Sequence, residues 1–313
     1  YGAFAGTGVG MIYMSAAGNA VKWFPDRRGF AAGMIAMGFG GGAAFTVIPV
    51  SFSISTYGWR TAMIAWGLIQ GSIVLIASSK IQDPPPDWER PESRNREPAK
   101  VIETRRDYPW HRTLRTVDFW FLYAIFVMMG VGGLMVTANL SVTAKWLNVQ
   151  TASVLGTSVV PLTVTTSSIA NGASRIVWGT VSDRLGREST MGLAFLLNGL
   201  LTLAVPAISG NAISFTLLFP LIFLTWGEIF ALFPATTADL FGSKNATTNY
   251  GMVYTAKGVS SVLAGYGAAL LTYYSAGSLA LPYLTAGILG IVAGILAMTV
   301  LKRVVARCVS EVG

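Results

Sequence analysis

Long apolar stretches alternate with short polar ones along this chain. Windows of about 20 apolar residues, the length a helix needs to cross hydrocarbon, fall at 1–21, 30–54, 59–79, 118–140, 153–181, 190–208, 212–238, 249–273 and 278–301. All nine are expected to be helices, because a backbone in lipid has no water to bond and must satisfy itself. Glycine and alanine recur within them, as in GFGGGAAF at 38–45, which suits close helix packing. One stretch breaks the pattern. Residues 80–117, beginning KIQDPPPDWERP, are polar and proline-rich. They predict a hydrophilic linker, not a folded domain. It divides the chain into a partial N-terminal bundle of three spans (1–79) and a six-span C-terminal bundle with a short tail (118–313).

Composition agrees. The 313 residues are 53% hydrophobic and 12% charged, with a mean hydropathy of +0.57; a soluble domain is about 25% charged. The class is therefore an all-α, multi-span membrane protein. The net charge of +8 is sorted by side. With nine spans, 18 of the 22 Lys and Arg fall on one side, including the whole 80–117 loop, Lys22, Arg187 and Arg307. The positive-inside rule makes that side, with the linker and the C-terminus, cytoplasmic. The charge thus reports topology and argues against nucleic-acid binding. The linker's basic residues suit either anionic lipid or plain solvation.

Several chemistries are excluded. His111 and Cys308 are the single histidine and the single cysteine. No internal disulfide, His-rich metal site or HExxH protease is possible, and no P-loop pattern is present. Cys308 reads as a cytoplasmic thiol rather than a palmitoylation site. The spans lack the nucleophiles, bases and metal ligands of an enzyme, so no metal and no cofactor are expected. The chain starts without methionine or signal peptide, directly on an apolar window. A fragment lacking its true N-terminus is expected, since three spans before a long loop and six after it match transporters built of two six-helix halves. A faint internal echo supports two related halves: in GMIAMGFG (33–40) and GMVYTAKG (251–258), Gly33, Met34 and Gly40 align with Gly251, Met252 and Gly258, and Phe39 aligns with Lys257.

Three ionisable residues lie inside spans: Arg175, Glu228 and Lys257. A charge at a helix centre costs about 2.5–3.5 kcal/mol on insertion scales. Counting from the nearest linker-side loop at 1.5 Å per residue places Arg175, Lys257 and Glu228 roughly 10, 12 and 16 Å deep. All three fall near the middle third of a core about 30 Å thick. Snorkelling to the interface is the alternative for the two cations. Glu228 is open to three readings: a structural partner for Lys257, a partner for backbone on a neighbouring helix, or a proton carrier. Arg offers a planar fork that matches a carboxylate and Lys a compact point charge, so a small dicarboxylate would bridge them. Tyr13, Phe39, Trp226, Phe230 and Tyr254 lie at similar levels and suit either the wall of such a site or ordinary helix packing. Tyr254 and Lys257, three apart, share a helical face, as do Trp226 and Phe230, four apart.

The motifs KWFPDRRGFAAGMIAMGFG, NGASRIVWGTVSDRLGR and TWGEIFALFPATTADLFGSKNATTNYGMVYTAKG resemble those of the oxalate/formate antiporter family of the major facilitator superfamily. The resemblance covers the chain apart from the linker. It is most specific at NG..R...G..SD..GR and YTAKG, which carry the two cations; SDRLGR alone is general to the superfamily. It implies the major facilitator fold, with nine of twelve helices present here, and one central site opened alternately to each face. Arg175 and Lys257 would bind the substrate carboxylates, with Tyr13, Phe39, Trp226, Phe230 and Tyr254 around them. Phe39 and Phe230 stand where relatives can have tyrosine, which removes hydroxyl donors. The expected activity is exchange of small carboxylates, oxalate for formate, by a monomer in a bacterial cytoplasmic membrane. The expected partners are those anions and membrane lipid. A proton-coupled monocarboxylate symporter and a non-transporting carboxylate sensor are the alternatives.

Overall fold

A computed structural model describes residues 2–24, 28–85, 107–208 and 210–304. Most of the linker, Arg307 and Cys308 lie outside the described residues. Helix α1 (Gly2–Trp23) stands where the first apolar window predicts it. Helix α2 (Arg28–Ser78) takes up the second and third windows in one run, bent at Gly58 with φ 78° and ψ 158°. That backbone is open to a residue without Cβ, so two spans follow each other with almost no loop. A short helix α3 (Trp110–Thr113) ends the linker, and α4 (Val117–Trp146) follows. The α4 N-terminus is capped by Thr116, whose Oγ1 accepts from the Phe119 amide at 3.2 Å.

The fifth window differs from expectation at its start. Residues 153–158 form a small hairpin, β1 (Ser153–Val154) against β2 (Thr157–Ser158). It turns through Leu155 and Gly156 with positive φ, and α5 (Val159–Leu185) begins after it. The polar, β-branched flanks and the glycine favour a turn over a first helical turn. Helix α6 (Arg187–Leu203) follows. The seventh window is two helices, α7 (Ala212–Trp226) and α8 (Ile229–Phe241), separated at Gly227–Glu228. The eighth comprises α9 (Ala246–Tyr254), α10 (Ala256–Val262), a π turn at Leu263–Gly267 and α11 (Ala268–Tyr274). Helix α12 (Ala280–Leu296) ends in a second π turn.

This is an all-α membrane protein. Among the described residues, Thr56–Ser78, Val117–Trp146, Ala212–Phe241 and Ala280–Val304 are long and apolar enough to cross a membrane. The other expected spans are helical but broken, shorter or more polar. On the arm of α2 after Gly58, Trp59, Met63, Ile64, Leu68, Ile73 and Ile76 are all exposed, an apolar surface suited to burial against lipid or further helices.

The interior is built of aromatics and glycine contacts. Phe119, Phe126, Phe195, Phe215, Phe219, Phe233 and Tyr283 are fully buried. Lipid tails are as apolar as these side chains, so the gain from burying them is close packing and not escape from water. Helices α2 and α5 meet backbone to backbone: a Cβ on Gly33 would lie 2.3 Å from the carbonyl oxygen of Arg175. That contact places Arg175 directly against α2.

Candidate functional site

The site grows from the break between α7 and α8. Pro234 has no N–H, so the carbonyl four residues earlier, that of Phe230, loses its helical donor. The Tyr13 hydroxyl of α1 donates to it at 2.9 Å, which pins α1 to α8. The carbonyl of Leu224, before the break, receives the Trp178 indole N–H at 2.7 Å. At the break itself Gly227 lets α5 approach: a Cβ there would fall 2.0 Å from Ser174 Oγ and 2.7 Å from the Asn171 carbonyl oxygen.

The two membrane cations come together on Phe230. The Arg175 guanidinium carbon lies 4.5 Å from the centre of that ring and Lys257 Nζ lies 5.1 Å from it. Cation–π attraction to one ring offsets part of the cost of holding two like charges there. Arg175, 3% exposed, donates from Nη1 to the carbonyl oxygen of Ala36 on α2. Its Nη2 reaches Asn171 Oδ1 at 3.4 Å. Its Nε has no partner among the described residues. Lys257 donates to the Tyr254 hydroxyl at 3.2 Å and lies 5.3 Å from that ring and 5.9 Å from that of Phe39. No carboxylate stands within ion-pair distance of either cation among the described residues. The arrangement leaves positive charge and N–H donors in an aromatic setting, buried at Arg175 and partly open at Lys257 and Phe39, which suits an anion with two acceptor ends.

The expected wall residues distribute unevenly. Tyr13 packs 5.1 Å from Phe39 and 5.4 Å from Tyr254, and Phe230 lies 6.3 Å from Tyr254. Trp226 stacks edge-on to Phe230 at 5.5 Å, yet its indole N–H is taken by the Met129 carbonyl at 3.1 Å. A Cβ on Gly133 of α4 would fall within about 2 Å of the same indole. Trp226 therefore braces Phe230 and has no free donor. Glu228 is fully buried, and neither carboxyl oxygen has a hydrogen-bond partner among the described residues. It is not brought into an ion pair with Lys257.

Sequence reasoning missed two residues. Tyr250 lies 6.5 Å from Tyr13 and 5.6 Å from Tyr254, and Asn171 supports the Arg175 fork. Each stands four residues before a residue that was singled out, and that spacing was the available signal. A second cluster lies at the linker-side end of the helices. Asp183 accepts from the Gly29 and Phe30 amides at 3.0 and 2.9 Å, in the first turn of α2, where a carboxylate is favoured by the helix dipole. Arg187 binds Asp183 at 2.5 Å and Asp239 at 2.8 Å. Burial alone would lower the Arg187 pKa, but Asp239 and Asp183 outweigh it and hold it above its ordinary value.

Comparison with known proteins places this architecture. The family model of the Major Facilitator Superfamily matches residues 1–162 and 134–307. The chain belongs to the major facilitator superfamily. Within the superfamily it is 32% identical over 272 residues to the oxalate:formate antiporter of Oxalobacter formigenes, covering 86% of this chain and 62% of that one. It is 26% identical to an uncharacterized MFS-type transporter of Escherichia coli, over 83% of this chain and 62% of that one. Apicoplast pyruvate carrier 1 of Toxoplasma gondii is 23% identical, over 84% and 57%. The chain thus spans about three fifths of the length of these relatives. The resemblance read from the NGASR and YTAKG motifs agrees with the first of them.

Proposed function

We propose that this chain forms the larger part of a secondary transporter that exchanges small carboxylates by alternating access, oxalate for formate. It would act as a monomer without a cofactor, in a bacterial cytoplasmic membrane with the linker and C-terminus inside. The observation that carries the reading is the pair of cations on Phe230, Arg175 and Lys257, with no acidic residue to pair them among the described residues. The relative named as an oxalate:formate antiporter supports the choice of ligand. Oxalate would take the Arg175 fork at one end and the Lys257 ammonium at the other.

The physics favours exchange. An empty carrier must close around two like charges in a low dielectric, and the effective penalty is several kcal/mol per ion. The Ala36 carbonyl, Tyr254 and the Phe230 ring relieve part of this; a bound anion relieves more. Loaded carriers therefore cross more readily than empty ones. Exchange of a divalent for a monovalent anion moves one net charge per cycle and responds to membrane potential. The test is labelled oxalate uptake into proteoliposomes by the full-length protein, with and without internal formate. Uptake indifferent to the internal anion refutes antiport, and binding without any flux would point to a sensor. In Arg175→Lys, which loses the bidentate fork, oxalate affinity should fall at least tenfold.

Glu228 favours a second reading. A buried carboxyl without a hydrogen-bond partner among the described residues, at a helix break whose Gly227 packs against Asn171 and Ser174 of α5, suits a proton carrier in a monocarboxylate symporter. On that reading Glu228→Gln abolishes pH-driven uptake; on the exchange reading oxalate–formate exchange survives the substitution.

A further inference from the structure

A second carboxylate-shaped site lies at the linker end of α1, and part of the chain already fills it. Asp83, in the first residues of the linker, places its Oδ1 3.0 Å from Asn19 Nδ2 and 3.0 Å from Lys22 Nζ, and its Oδ2 2.9 Å from the same ammonium. The adjoining Gln82 carbonyl accepts from Asn19 Nδ2 at 2.9 Å and from the Trp23 indole at 2.8 Å. These contacts tie the linker across the end of α1. They border a cleft of about 380 Å³ lined by Ser15, Asn19, Lys22, Ile81, Asp83 and Thr247.

The position of the cleft links it to the central site. Ser15, Asn19 and Lys22 stand at i, i+4 and i+7, on one face of α1, and Tyr13 of the central site is two residues before Ser15. Nine residues separate Tyr13 from Lys22, roughly 14 Å along the helix. Across the cleft, Thr247 belongs to α9, the helix that ends in Tyr254. It packs onto α1 so closely that a Cβ on Gly18 would fall 1.8 Å from its hydroxyl. Both helices that border the cleft therefore also border the central site.

We propose that Lys22 and Asn19 form a subsite for small carboxylate anions on the linker side of the central site, and that Asp83 is a tethered occupant which those anions displace. The subsite rests on the transport reading only for its place on a route. Its chemistry stands on the bound carboxylate, whose two oxygens show where an anion's acceptors would lie. Lys22 and Asn19 hold the Asp83 carboxyl below its ordinary value of 3.8, so it is ionised at neutral pH and is a faithful stand-in for such an anion. Displacement is feasible because the Asp83 side chain is 64% exposed, and solvent-exposed pairs are weak.

The test uses full-length protein and oxalate as the probe. Acylation of the Lys22 amine by an N-hydroxysuccinimide ester, read by mass spectrometry, should speed up severalfold in Asp83→Asn. Millimolar oxalate should then slow it again, and chloride at equal ionic strength should not. An Asp83→Asn protein that acylates at the unmodified rate, or one in which chloride protects as well as oxalate, overturns the proposal. In vesicles with the linker face outward, Asp83→Asn should lower the half-saturating oxalate concentration on that face and Lys22→Gln should raise it, with the opposite face unchanged. Shifts in the same direction for both variants would indicate a merely structural strap and also overturn it. Absence of any exchange by the unmodified protein would sink the transport reading, and the acylation arm would still decide the subsite.

Discussion

The linker-side cluster gives the sharpest stability prediction. Arg187 is 4% exposed, and its guanidinium reaches Asp239 at 2.8 Å, Asp183 at 2.5 Å and Ser182 Oγ at 2.7 Å. Asp183 in turn holds the Gly29 and Phe30 amides, so one guanidinium joins α5, α6 and α8 to the first turn of α2. Arg187→Met keeps much of the side-chain volume and takes the charge away from two nearly buried carboxylates. Removing one partner of a buried ion pair costs about 3–5 kcal/mol. At about 2–4 °C per kcal/mol for a domain of a few hundred residues, the thermal midpoint should fall by roughly 6–20 °C. Arg187→Lys keeps the charge but not the fork, and should fall between the two. The assay is thermal unfolding of the full-length protein in detergent, followed by intrinsic fluorescence. A methionine variant that melts within about 2 °C of the unmodified protein would show that the cluster does not hold the helices together, and would refute the reasoning.

Three further outcomes follow from the geometry. Gly33→Ala places a methyl group 2.3 Å from a backbone carbonyl that cannot swing away; it should part α2 from α5, draw Arg175 from Ala36 and cost about 1–3 kcal/mol, read as a lower melting temperature with weaker oxalate binding. Pro234→Ala returns an in-helix donor to the Phe230 carbonyl, so Tyr13→Phe should cost about 1 kcal/mol with proline at 234 and measurably less with alanine there; equal costs in a double-mutant cycle would refute the coupling. For the Asp83–Lys22 strap, the folded-state pKa of Asp83 is depressed, so its contribution is present above the ordinary carboxyl value and disappears as pH falls through the lower folded one. Lys22 acylation profiles referenced to an unpaired lysine should show no loss of protection from neutral to mildly acidic pH.

Arg175 and Lys257 were legible because a charge in an apolar run announces itself, and depth arithmetic put both at one level. The all-α character was legible because lipid leaves the backbone few choices. The hairpin at 153–158 was not, because an apolar window does not sense the glycine turn at its start. The Asp183–Arg187–Asp239 cluster was not either. SDRLGR showed two of its members, but the third lies 52 residues beyond Arg187, and nothing local couples them.

From the sequence Phe230 reads as either a wall residue or ordinary helix packing, and the structure puts its ring against both cations. Three features hold its ring where it meets both cations: Pro234 frees its carbonyl, Tyr13 takes that carbonyl, and Trp226 packs edge-on to the ring with its own N–H committed to α4. A tyrosine at 230 would add a hydroxyl donor without changing any of the three. A phenylalanine there leaves the cations to the ring's π-face alone. On the proposed exchange reading, recognition of an anion would fall to Arg175, Lys257 and the hydroxyl of Tyr254, since that of Tyr13 is already given to the Phe230 carbonyl. A site with so few donors discriminates through charge and size more than through a dense hydrogen-bond pattern, and it should admit formate and oxalate more readily than hydroxylated acids that need further polar partners.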